Sequence, residues 1–139
     1  MRNRISLNGS WNLYYSSDRK TNIKLPTESE EVLKTKIRAE VPCNVEMALA
    51  EAGIIEKELY KGMATEKNMK FEDYHWWFEK EFEYPNQLSD ERVYLSFGMV
   101  DCFADYYLNG ELVHQSKNAY CEIKFDITNK IKLNEKNLL

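Results

Sequence analysis

The sequence predicts an antiparallel β-sandwich, and three observations predict it. The first is the stretch from Arg92 to Val113, RVYLSFGMVDCFADYYLNGELV. Val93, Leu95 and Phe97 alternate with Arg92, Tyr94 and Ser96. After a Gly-containing break, Cys102, Ala104, Tyr106 and Leu108 share one face and Phe103, Asp105 and Tyr107 the other, the period of half-buried strands. Asn109-Gly110 then supplies two residues that tolerate positive φ, as a type I′ hairpin turn requires. The second is the recurrence of six or so short alternating stretches between turn signals, with no βαβ rhythm and no internal repeat. The third is an aromatic content of 13%, with nine Tyr and three Trp. That richness suits packed sheets, and it also leaves room for an aromatic ligand platform or an interface.

With 139 residues the chain is long enough for one domain, which at that size buries roughly 70% of the surface its unfolded form exposes. Residues 1–139 are therefore expected to form a single sandwich around one core. Hydrophobic residues at 43% and charged residues at 30% place it among globular rather than disordered chains. The net charge of −4 and the absence of any Lys/Arg cluster argue against a nucleic-acid partner. The start MRNRISLNG has no apolar core of a secretory signal, and no apolar run approaches a membrane span, so a cytoplasmic protein without a membrane partner is expected. Cys43, Cys102 and Cys121 are odd in number and widely spaced, which reads as buried thiols rather than a disulfide framework or zinc site. Neither a cofactor nor a metal is expected.

In order along the chain, ISLNGSWNLYY (5–15) places Trp11, Leu13 and Tyr15 on one face of a strand. Residues Glu28 to Lys36 read as a solvated crossover, and Val41-Pro42 as an extended approach. The one good helix follows in CNVEMALAEAG, where Asn44 can cap, Val45, Leu49 and Ala52 make a face, and Gly53 can terminate it. Residues 54–70, with Tyr60, Gly62 and Asn68, form a long polar connection. Phe71 to Pro85 reads as one strand, with Trp76, Phe78, Phe82 and Tyr84 inward around Lys80, and Trp77, Glu79, Glu81 and Glu83 on a solvated face. Asn86 to Glu91 is a loop. Glu111 to Gln115 returns from the hairpin, Ser116 to Ala119 turns, and YCEIKFDIT alternates with Cys121, Ile123, Phe125 and Ile127 inward. The ending Asn137-Leu138-Leu139 reads as the opening of a further strand, so the domain is expected to be cut short before its last strand or strands. A sheet left without its closing members favours a dimer or a domain swap.

No nucleophile motif, phosphate-binding Gly-rich loop or metalloprotease signature is present. His75 reads as a packed histidine and His114 as a surface one. Glu79, Glu81 and Glu83 have the strand spacing that paired glycosidase carboxylates could use, but such spacing arises on almost any solvated strand. Asp101 reads as a loop carboxylate bonding to backbone donors, with a ligand or interface role as the alternative. Trp76, Trp77 and Tyr74 could stack on a sugar ring, although packing is the stronger reading for all three. Tyr120, after the 116–119 loop, leaves a rim role and packing open.

Taken together, LNGSWNL, VPCNVEMALAEAGII, HWWFEKEF, LSFGMVDCFADYYLNGELV, KNAY, FDIT and NEKNLL resemble, in this order, the N-terminal jelly-roll domain of glycoside hydrolase family 2, closest to its β-mannosidase branch. The likeness runs from about Leu7 to Leu139. Gly98, Asp101, Ala104, Leu108, Asn109 and Gly110 fall on the family's hairpin signature, Trp76 and Trp77 on its aromatic pair, Asn118 on its loop Asn, and Phe125, Asp126 and Thr128 on its FDVT stretch. Departures are Cys43 where Gly is usual, Met99-Val100 before Asp101, and a 56–69 segment without the family's Pro and Asp pattern.

The resemblance implies a galactose-binding-domain-like jelly roll with one short ancillary helix, itself without catalytic residues. It also implies a longer parent that is a retaining glycosidase acting on a β-mannoside or related β-glycoside, with both catalytic glutamates on a (β/α)₈ barrel against which this domain packs. Sugar contacts in that setting would come from Trp76, Asp101, Asn118 and Tyr120. A free-standing carbohydrate-binding module and a purely structural interface domain are the alternatives.

Overall fold

The computed structural model describes residues 4–58, 62–85 and 92–139. They form a predominantly β-sheet fold with some helix, in two compact units, Met1–Lys80 and Glu81–Leu139.

In the first unit a three-stranded antiparallel sheet has β1 (Gly9–Ser16) at its centre, flanked by β2 (Ile37–Val41) and β3 (His75–Glu79). The register pairs Trp11 with Ala39, Leu13 with Ile37 and Phe78, and Tyr15 with Trp76, so these side chains share one face. On it Leu13 and Ala39 are buried together with Ala48, and Ile37, Cys43 and Trp76 pack around them. Two short helices precede and follow β2: α1 (Glu30–Leu33) and α2 (Val45–Glu51). The cap expected for α2 is present, with Asn44 Oδ1 accepting from Met47 N at 2.8 Å, and Gly53 lies beyond the end at φ 72°. The buried face is Ala48, Leu49 and Ala50 rather than Val45, Leu49 and Ala52, because Ala52 is already the C-cap residue and is exposed.

Three expectations for this unit are corrected. The crossover at 28–36 is not simply solvated: Ser29 Oγ accepts from Val32 N at 3.3 Å to start α1, and Val32 is buried. Thr35 latches the crossover to β1, its hydroxyl accepting from Tyr15 N at 2.9 Å with its single proton between Val32 O at 2.7 Å and Tyr15 O at 3.1 Å. Residues 37–41 are a full strand, the alternation Ile-Arg-Ala-Glu-Val matching β1. The connection 54–70 contains α3 (Ala64–Asn68) and leads into a 3-10 turn, Met69–Asp73, that buries Phe71; Tyr60 lies outside the described residues.

The single strand expected over 71–85 is two. β3 ends at Glu79, and β4 (Glu81–Glu83) opens the second unit, because β3 completes a ladder with β1 whereas β4 pairs with β9 (Lys136–Leu138). The ending at Asn137 is thus part of a strand. Two further antiparallel pairs complete this unit: β5 (Tyr94–Phe97) with β8 (Ile123–Asp126), and β6 (Ala104–Leu108) with β7 (Glu111–Ser116). Leu95, Tyr106, Leu108, Ile123, Phe125 and Ile127 are its buried core. His114 is no plain surface residue: its ring stacks on Phe125 at 4.5 Å, beside Tyr106. Cys121 is exposed rather than inward, since β8 begins only at Ile123. The loop expected at 86–91 lies outside the described residues.

Asn109 and Gly110 stand at φ 54° and 84°, the signs a type I′ turn demands. Asn109 does more than turn the chain. Its backbone N donates to Leu138 O at 2.8 Å, its Oδ1 accepts from Leu138 N at 3.0 Å, and its Nδ2 donates to Asn137 Oδ1 at 3.0 Å and Lys130 O at 3.3 Å. Asn137, fully buried, accepts from Lys132 N at 2.8 Å and donates to Lys132 O and Glu135 O.

Asn137→Ala would take away the buried amide that these part-buried backbone groups bond, a loss of ~1–3 kcal/mol for each group left unpaired. Urea denaturation is expected to show a loss of about 2–4 kcal/mol at unchanged slope; a loss under about 1 kcal/mol would mean that water replaces the amide.

Candidate functional site

Two loops of the second unit, 98–103 and 117–122, are brought together by strand register. Phe97 pairs with Ile123 at the end of β5 and start of β8, and Ala104 pairs with Ser116 at the start of β6 and end of β7. Each loop therefore leaves one pair and enters the other at the same end, and the two crossings run side by side. Three of the four residues expected to contact a sugar, Asp101, Asn118 and Tyr120, gather on this edge. Tyr120 is 92% exposed, Phe103 77% and Met99 67%.

The exposure of Tyr120 is built into its loop. Asn118 Oδ1 accepts from Tyr120 N at 2.9 Å, a side-chain turn, while its Nδ2 points to Cys121 Sγ at 3.4 Å. Ala119, between them, is buried, so the loop is pegged inward at that residue and presents the next ring to solvent. An amide retains further donor and acceptor capacity in such a turn. Asp101 is exposed and, among the described residues, makes no hydrogen bond or ion pair, which corrects the expectation that backbone donors hold it. An edge that presents an open phenol face, a carboxylate and an amide has groups that can stack on the apolar side of a polyhydroxyl ring and bond its hydroxyls.

Trp76 belongs to the first unit. Its ring is half-buried among Tyr15 at 5.5 Å, Tyr74 at 5.8 Å and Phe71 at 6.3 Å, over the Leu13–Ala39–Ala48 core. The other sheet face is also covered: Trp77 Nε1 donates to Lys24 O at 3.1 Å, and Tyr14, opposite Trp77, is buried. Its hydroxyl donates to Glu79 Oε1 at 3.1 Å, which also accepts from Asn12 Nδ2 at 3.2 Å, so Glu79 is not a simple solvated carboxylate. Burial first, then the charge and hydrogen bond of Glu79, push the Tyr14 phenol up to about 12. The sequence reading missed Tyr14; Trp77 on a supposedly solvated face was the available signal.

An open depression of about 420 Å³ lies in the second unit among Arg92, Asp126, Thr128, Asn129 and Lys130. Its charges serve the fold. Thr128 donates to Asp126 Oδ1 from Oγ1 at 2.5 Å and from N at 2.9 Å, which, aided by Arg92, holds the carboxyl below its usual range. Thr128 Oγ1 also accepts from Val93 N at 2.9 Å, and Lys130 pairs with Glu111. His75 is exposed, 3.5 Å from Arg19 O. Among the described residues no group of three or more His, Cys, Asp or Glu converges on a metal position, and no helix is long and apolar enough to cross a membrane.

These placements separate structural rings from a presented one. Trp76→Ala is expected to cost about 3–5 kcal/mol in urea denaturation, whereas Tyr120→Ala should stay within about 0.5 kcal/mol; equal losses would remove the distinction. Tyr14 gives an alkaline signature. The folded state holds its proton more tightly than the unfolded chain, whose tyrosines titrate near 10. Its contribution is therefore complete below about pH 10 and declines as the pH rises to about 12. Tyr14→Phe should flatten that decline; the same steepness in both proteins would exclude Tyr14 as its source.

The profile of the family described as glycosyl hydrolase 2 galactose-binding domain-like matches residues 15–139. A β-mannosidase of Mus musculus is 30% identical over 129 residues, which are 91% of this chain and 13% of that protein. A β-galactosidase of Thermoanaerobacter pseudethanolicus is 38% identical over 65 residues, 45% of this chain and 9% of that protein. The crystal structure of a β-D-mannosidase from Dictyoglomus thermophilum shares the fold, with a TM-score of 0.76 at 23% identity over 96% of this chain and 15% of that one. The chain thus spans about a tenth of the length of such curated relatives. With the profile covering all but the first fourteen residues, the chain belongs to the glycosyl hydrolase 2 galactose-binding domain-like family.

Proposed function

We propose that this chain is the N-terminal accessory domain, a galactose-binding-like jelly roll, of a retaining family 2 glycosidase acting on β-mannosides or related β-glycosides. Its role there is to pack on the catalytic barrel and shape the sugar pocket. The gathering of Asp101, Asn118 and the open Tyr120 ring on one edge carries this reading. The likeness over 91% of the chain to a β-mannosidase supports the branch. Retaining hydrolysis uses two carboxylates about 5–5.5 Å apart and a covalent glycosyl intermediate. A (β/α)₈ barrel takes about 250 residues, so those carboxylates belong to the parent polypeptide beyond this domain. Asp101, Asn118 and Tyr120 would bind and orient the sugar; Trp76, packed in its aromatic cluster, supports strand β3 instead.

The exposed Tyr120 ring would equally serve a free-standing carbohydrate-binding module. Calorimetric titration of the 139-residue chain with mannose, β-mannosides and galactosides, with its elution mass in the same buffer, separates the two. No heat is expected with any of them, because an accessory edge supplies only part of a pocket. Saturable binding at millimolar concentration or tighter by a monomer would overturn the accessory reading in favour of the module.

A further inference from the structure

The tripeptide Leu-Asn-Gly occurs twice, at 7–9 and at 108–110, and the structure holds the two asparagines differently. Asn-Gly is chemically labile because glycine offers no side chain to hinder attack by its own amide nitrogen. That nitrogen attacks the asparagine Cγ; the new C–N bond closes a succinimide as the Cγ–Nδ2 bond breaks. Ammonia leaves, the amide proton passing to it through solvent. Water then adds to either ring carbonyl and opens it to aspartate or isoaspartate.

Asn8 is exposed, and its side-chain amide makes no hydrogen bond among the described residues. Asn109 is tied at both ends of its amide: Oδ1 to Leu138 N, Nδ2 to Asn137 Oδ1 and Lys130 O. Turning Cγ toward Gly110 N requires breaking all three bonds, two of which are made to β9. Conversion would also be one-way. An aspartate oxygen in place of Nδ2 would face Asn137 Oδ1 and Lys130 O, two acceptors, and Asn137 is fully buried. Isoaspartate would in addition lengthen the backbone inside a two-residue turn.

We propose that Asn109 is a conformation-gated deamidation site, silent while β9 is docked and reactive once β9 leaves, with Asn8, whose side chain carries no such clamp although Gly9 enters β1 opposite Val41, as its counterpart. The chain then carries a chemical record of how often its C-terminal strand opens.

The test incubates the 139-residue chain in mildly alkaline buffer and follows, by peptide mass mapping, the conversion of amide to acid at each site, with isoaspartate detection. In the folded chain Asn8 is expected to react at least about tenfold faster than Asn109, since the latter waits on a local opening. In concentrated urea the two rates should agree within about twofold, the clamp being gone and the flanking residues matched on both sides. Asn137→Ala in plain buffer should raise the Asn109 rate and leave Asn8 unchanged. Folded Asn109 reacting as fast as Asn8, or staying slow in urea, overturns the proposal; the urea comparison decides even if the variant does not fold.

Discussion

The second unit depends on the bridge from Asn109 to the C-terminal strand. β9 has three residues and only a three-residue ladder with β4, and a two-stranded pair of that length is marginal in water. The exposed Lys136–Glu81 ion pair at 2.6 Å adds little. What fixes β9 is polar and local: Asn109 exchanges two hydrogen bonds with Leu138, and Asn137 reads the backbone of the 132–135 turn while meeting Asn109. Glycine would satisfy the left-handed backbone at 109 with less strain, but it could make none of the side-chain bonds. Asparagine is the residue that both tolerates that conformation and carries a donor and an acceptor on one short arm.

That bridge sits at one end of the β6–β7 ladder, and the candidate site sits at the other. The Leu108/Glu111 end is closed by the turn and clamped to β9; the Ala104/Ser116 end opens into loops 98–103 and 117–122. The bulge where Tyr106 pairs with His114 but Tyr107 with Leu112 lies between them and adds local twist. Tyr106 and His114 are then set on Phe125 of the neighbouring pair. Core packing in the middle and hydrogen bonds at the closed end thus leave the exposed positions of the loop edge freer to vary in composition than the strands.

Much of this was legible in the sequence because it rests on local signals. Period-two alternation located β5, β6 and β8, Asn109-Gly110 set the hairpin and with it the returning β7, and Asn44 and Gly53 bounded α2. What was not legible rests on partners distant along the chain. The break at Lys80 has no turn residue; it exists because β3 and β4 join different sheets. β2 was hidden between a polar crossover and Pro42, and Val32 gained its buried place from a single serine cap. Tyr14 and Glu79 are ordinary strand residues until the register sets them across from each other's neighbours. Asn137, the most consequential polar residue of the second unit, lies in a polar stretch whose composition gives no hint of burial.

Trp76 and Tyr120 show how far composition falls short for the site itself. Both are aromatic, both suit a sugar ring, and only their backbone settings differ. Trp76 lies on a strand whose inward face is filled by Leu13, Ala39 and Ala48, so its ring is committed to packing. Tyr120 follows a buried alanine in a turn closed by Asn118, so its ring has no inward position to take. Holding an apolar side chain of that size in water forgoes the ~1.5–3 kcal/mol that burial would give. The loop nevertheless fixes it there before any ligand arrives. A ring whose backbone is already ordered loses less freedom on contact than one on a mobile loop.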